Sequence, residues 1–146
     1  MALNKEKELL SKSEYRKILS GLELKDIYFL GGKFSLKRKE LSHDLIVKTS
    51  DNASFEIISG TSVELIHNYK LGVTNKENRK KSINIECSIC SVLLSKEKFS
   101  DEFFEVYKKI NLPIHTWPFF REYVFNVTSR MNIPPLSLPL LKRHIK

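Results

Sequence analysis

The chain reads as an α+β fold: a four-stranded antiparallel sheet with two C-terminal helices on one face, plus a short extra N-terminal helix. Three observations carry that reading. Between residues 22 and 98 apolar side chains recur with a period of two, the spacing of strands with one buried face. Between 100 and 131 the period becomes helical. Strands come first and helices last, without the alternation that builds a parallel sheet. With 146 residues, 41% hydrophobic and 29% charged, the chain has the size and composition of one domain with a thin core. It divides into an N-terminal helical extension (1–20), the sheet (22–98), the helices (100–131) and a Pro-rich apolar exit with a basic tail (132–146).

In order, residues 4–19 form the extra helix, anchored by Leu9, Leu10, Ile18 and Leu19 and stopped at Gly21. "LELKDIYFL" (22–30) alternates and then becomes apolar on both sides from Ile27. Gly31-Gly32 breaks or bulges it, and "KFSLKRKEL" continues extended. A second strand lies within 44–58, with an interruption expected at Asp51-Asn52. The third, 62–73, is the cleanest, with Val63, Leu65, Tyr69, Leu71 and Val73 on one face. A Lys-rich loop, 75–81, returns the chain into "SINIECSICSVLL", where Ile83, Ile85, Cys87 and Ile89 alternate with polar residues. Ser100 is an N-cap with Asp101 and Glu102 favoured by the helix dipole, and Phe99 with Phe104 makes a hydrophobic staple. That helix ends near Ile110. Pro118 fits the first turn of a second helix, whose Phe120, Val124, Val127 and Met131 form one stripe.

Several function classes find little support. No apolar stretch has membrane-spanning length and the N-terminus lacks a signal-peptide core, so a cytoplasmic chain is expected. Cys87 and Cys90 form a C-x-x-C, but three positions apart on a strand they point to opposite faces. They read as packing thiols, not as a zinc or redox pair. His43, His67, His115 and His144 are widely separated, and His67 sits on the apolar face of its strand as a core histidine. No phosphate loop, nucleophile elbow or metalloprotease motif appears, so neither enzyme, cofactor nor metal is expected. The net charge of +8 leaves an alternative, a nucleic-acid-binding module using Lys37, Arg38, Lys39, Arg79, Lys80 and Lys81. No aromatic residue for base stacking lies within 75–81, which counts against it.

"LPIHTWPFFREYVFNVTSRMNIPPLSLP" (112–139) resembles the C-terminal signature of the SecB family of protein-export chaperones. The resemblance rests on Leu112-Pro113, Pro118-Phe119-Phe120-Arg121-Glu122, Ser129-Arg130 and the exit Pro134-Pro135-Leu136-Ser137-Leu138-Pro139. It implies a dimer of dimers that holds unfolded polypeptides in hydrophobic grooves without ATP. Its partners would be unfolded preproteins or an antitoxin. Export members carry an acidic surface that docks the motor SecA. This chain instead adds a helix in front and ends "LLKRHIK", features more similar to divergent SecB-like chaperones, some of which protect an antitoxin. The resemblance therefore points to chaperone activity ahead of a handover to SecA.

The expected client site follows from helix geometry. Phe120, Val124, Val127 and Met131 face the chain's own sheet. Trp117, Phe119 and Tyr123, with Ile133, Leu136 and Leu138 of the exit, border the groove or the subunit seam. Residues 119 and 123 are one turn apart on a flank of the core stripe, and the prolines keep the exit from continuing as helix. Phe29, Phe34, Leu36 and Leu41 are the expected opposite wall.

Overall fold

The computed structural model describes residues 10–141. Its elements run α1 (Lys12–Ser20), β1 (Leu22–Leu36), a 3-10 turn (Arg38–Glu40), β2 (Leu45–Ser59), β3 (Ser62–Asn75), β4 (Lys81–Ser95), α2 (Asp101–Ile110) and α3 (Leu112–Ser129). The strands form one antiparallel sheet in the order β1-β4-β3-β2, so β1 and β2 are its edges. The connection from β1 to β2 must cross the sheet, and the 3-10 turn lies on it. The alternating apolar residues of β3 and β4 are buried beneath the helices, as their period requires.

Local signals set the helix ends. The Ser100 hydroxyl accepts from the Phe103 N–H at 3.1 Å, and the Phe99 and Phe104 rings meet at 6.3 Å. α1 starts at Lys12, where Ser11 and Glu14 close a capping box with two bonds of 3.2 Å, and the 4–9 part of the expected helix lies outside the described residues. Leu9 and the "KRHIK" tail lie outside the described residues.

Three expectations are corrected. β2 runs unbroken through Asp51 and Asn52, because both side chains find cross-strand partners: Asp51 takes His67, and Asn52 accepts from Asn68 at 2.9 Å. β1 ends at Leu36 instead of extending to Leu41, and Arg38–Glu40 turn there. Pro118 lies inside α3, not in its first turn, which belongs to Pro113. Asn111 serves as both the C-cap of α2 and the N-cap of α3, so the two helices follow without a loop. An interior proline costs about 3 kcal/mol, and the full burial of Phe120 and Val124 in the next turns works against that cost.

The core has two centres. One gathers the Tyr69–Val73 end of β3, the Ile83–Ile89 part of β4, and Phe120, Val124, Val127 and Met131. The other gathers Val63, Leu65 and Leu93 under Phe99, Phe103, Phe104, Tyr107 and Leu112, with Ile18 and Leu19 of α1 at its rim. Cys87 belongs to the first, while Cys90 lies on the opposite sheet face beside Tyr28 and Ile66; both are free and buried. Burial pushes the Cys87 thiol up to about 12, so it stays protonated and unreactive at neutral pH. Native protein should therefore resist alkylation at Cys87, and Cys87→Ala should cost about 1 kcal/mol in urea denaturation.

Candidate functional site

The site is built on a bulge. Phe29 pairs with Ile89 and Phe34 with Ile85, yet Phe29 and Phe34 are five residues apart, an odd spacing that would normally place them on opposite faces. The pairing skips Leu30 between Phe29 and Gly31, and that one extra residue brings both phenylalanines to the helix side. There the Phe29 ring stands 5.8 Å from Phe119 and 5.5 Å from Tyr123 of α3. Gly32 leaves room beneath them, since a Cβ at that position would lie 2.5 Å from the Tyr123 hydroxyl oxygen and would push that ring aside. Phe29 remains 40% exposed and Phe34 52% exposed. The result is an aromatic cluster between the edge strand and α3, with Phe29 and Phe34 partly exposed along its side.

The exit forms the second part of the wall. It runs back along α3 as an extended strap held by side-chain hydrogen bonds. Arg38 donates to the carbonyls of Met131 (2.7 Å) and Asn132 (3.1 Å) where the strap begins. The Leu136 N–H donates to the Thr128 hydroxyl at 2.8 Å. Arg121 Nε donates to the Leu138 carbonyl at 2.6 Å, and Trp117 Nε1 to that of Pro139 at 2.9 Å. Leu138 is thereby drawn into the first core centre, 7% exposed. Leu36, Leu41, Trp117, Phe119, Tyr123, Ile133 and Leu136 are half-buried against that same centre. The structure thus gathers eight of the ten predicted residues in or against one core centre, sets Phe29 against Phe119 and Tyr123 beside it, and leaves Phe34 exposed on the same strand face. Arg38 and Thr128, which fasten the strap, escaped the sequence reading; Arg38 looked like part of a basic cluster.

Trp117 joins the groove to a polar network. Its ring lies 5.8 Å from Tyr69 and from Phe120, and it lines a depression of about 510 Å³ toward β2 together with Asp51. The Asp51 carboxylate accepts from His67 Nε2 at 2.7 Å. His67 Nδ1 lies 2.8 Å from the Thr116 hydroxyl, which is also 2.9 Å from the Tyr69 hydroxyl. In the neutral ring, Nε2 donates to Asp51, so Nδ1 accepts from Thr116 and Tyr69 donates to Thr116. His67 is 1% exposed. Burial holds its pKa below the ordinary value, and the Asp51 carboxylate opposes this only in part. Burial lowers His115 in the same direction. The unfolded chain therefore binds protons more readily than the folded one, and these histidines add stability above about pH 6.5 that is lost as pH falls through the folded pKa. Chemical denaturation between neutral and mildly acidic pH should show that loss, and His67→Gln should flatten it.

No protein-family model matches the sequence, and no curated protein matches it. Among solved structures, the Mycobacterium tuberculosis Rv1957 SecB-like chaperone, in complex with a ChAD peptide from the Rv1956 HigA1 antitoxin, superposes with a TM-score of 0.75. The fold is SecB-like. At 16% identity the match covers 90% of this chain and 99% of that one. A protein of unknown function from Streptococcus agalactiae matches at 12% identity, TM-score 0.49, over 82% of this chain and 97% of that one, too loosely to bear on the argument. Within that fold Phe29 stands opposite α3, and Phe34 follows on the same face of β1. Among the described residues no helix is long and apolar enough to cross a membrane.

Proposed function

We propose that this chain is an ATP-independent chaperone that holds unfolded polypeptide segments in the aromatic groove between β1 and α3. The observation that carries the reading is the pair Phe29 and Phe34, placed on one face of the edge strand by a bulge, on either side of Gly32, and left partly open to solvent within a SecB-like fold. Apolar burial is non-directional, so such a surface accepts many sequences. Trp117, Phe119 and Tyr123 form the far wall, and Leu36, Leu41, Ile133 and Leu136 line its flanks, with Leu138 as the buried footing of the strap. The client is an extended segment bearing apolar or aromatic side chains, such as an unfolded preprotein or an antitoxin extension. The antitoxin peptide bound by the mycobacterial neighbour supports the second.

The working form is a cytoplasmic homo-oligomer, a dimer of dimers. The two exposed edges of the sheet and the open groove favour it, because a subunit of this size covers such surfaces best with copies of itself. The deciding experiment is light scattering of an aggregating substrate with increasing chaperone, at low and high salt. Suppression at both salts supports the reading; absence of suppression, with salt-sensitive retention of RNA or DNA, would replace it with a nucleic-acid module.

A further inference from the structure

The sheet face turned away from the helices is organised in rows. One row sets Lys33, Glu86 and Lys70 side by side, and the next sets Gly31, Ser88 and Asn68. Then come Tyr28, Cys90 and Ile66, followed by Asp26, Val92 and Glu64. Glu56 pairs with Glu64 in the last of these, which is therefore acidic on three strands. The Lys81 side chain lies over Gly72, so it adds a positive charge beyond the Lys70 row. The face therefore has a basic end and an acidic end, about 20 Å apart at the rise of a strand. Beside the basic row, and lined in part by it, is a hollow of about 390 Å³ that includes Gly31, where an added Cβ would meet nothing within 4 Å. One row away, Tyr28 stands 39% exposed.

We propose that this outer face associates with the same face of a second copy, about a two-fold axis that crosses the strands midway between the Asn68 and Ile66 rows. That single operation satisfies three features at once. It sets Lys33 opposite Asp26 of the second copy, Lys70 opposite its Glu64, and Tyr28 opposite its Gly31 hollow, each contact occurring twice by symmetry. Sheets stack about 10 Å apart, within reach of a lysine or tyrosine side chain. Four strands of about 15 residues offer a face of roughly 900 Å², comparable with the roughly 800 Å² per partner of a stable interface. A long polyanion is a poorer occupant, since it would run from the lysines onto the Asp26–Glu64–Glu56 row. The surface lies on the opposite side of the sheet from the groove, so it goes beyond the chaperone reading and does not depend on it.

Sedimentation at low and high salt tests the proposal, with client holding measured in parallel. Wild type should reach at least twice its high-salt mass at low salt. Lys33→Asp/Lys70→Glu and Asp26→Lys/Glu64→Lys should each lose this association, while their equimolar mixture restores it as a one-to-one complex. Gly31→Trp, whose Cβ would meet nothing within 4 Å in its own subunit, should fill the hollow and weaken association at least tenfold with every charge intact. Equal mass at both salts overturns the proposal. Association that survives Gly31→Trp overturns the docking geometry, leaving unspecific charge attraction. Client holding should be unchanged in both charge variants; its failure in wild type would count against the groove and not against this surface.

Discussion

The variant Phe29→Ala/Phe34→Ala is expected to bind an unfolded client about a hundredfold more weakly while keeping its fold. Full burial of such a side chain is worth about 1.5–3 kcal/mol. Both rings are about half exposed in the free chain, so a client covers only what remains. Together they should contribute about 2.5 kcal/mol, close to two powers of ten in affinity. Fluorescence anisotropy of a labelled unfolded polypeptide gives the affinity, and circular dichroism monitors the fold. The companion variant Trp117→Ala/Phe119→Ala should lose holding as well, but by two routes. It removes one wall, and it cuts the hydrogen bond that ties the strap at Pro139. Normal holding by both variants would place the groove elsewhere. Failure of the first to assemble would instead make these residues part of the seam between subunits.

The largest stability effect should come from Phe120→Ala. That ring is wholly buried and stacks on Tyr69 at 4.6 Å with only 10° between the planes. Truncation of such a residue costs about 3–5 kcal/mol through lost burial and the cavity left behind. Since folded domains are stable by about 5–15 kcal/mol, the variant should melt roughly 10 °C or more below wild type in calorimetry. A shift of only a degree or two would mean that α3 does not rest on β3 and β4 through this residue.

The sequence made the sheet and the core stripe legible because both are periodic. A one-sided strand such as β3 repeats every second residue, and Phe120, Val124, Val127 and Met131 repeat at helical spacing, so local pattern and burial agree. The errors fall where a distant partner overrides local propensity. Asp51 and Asn52 look like a turn until His67 and Asn68 of the neighbouring strand supply their hydrogen bonds. Pro118 looks like a helix start until Asn111 is seen to link two helices directly. Of the candidate site, the sequence showed which apolar residues of α3 and the exit flank the core stripe, while the way they are held was not legible. Nothing near Arg38 indicates that its guanidinium holds carbonyls some 90 positions away. A Gly-Gly pair announces a bulge but does not say which side chains the bulge brings to one face.

The polar network around His67 also divides the molecule. His67 lies between Leu65, which belongs to the α2 centre, and Tyr69, which belongs to the α3 centre; Thr116 likewise separates Leu112 from Phe120. Hydrogen bonds at such a boundary fix position, but they do not extend apolar contact from one half to the other. The α1–α2 layer is therefore expected to open ahead of the α3 layer, with Leu112 at the start of α3 as the residue the two share. Amide hydrogen exchange should accordingly fall into two tiers, with the protons of α2 exchanging well before those of α3 around Phe120 and Val124. The half of the chain that carries the groove would then be the last to lose its shape.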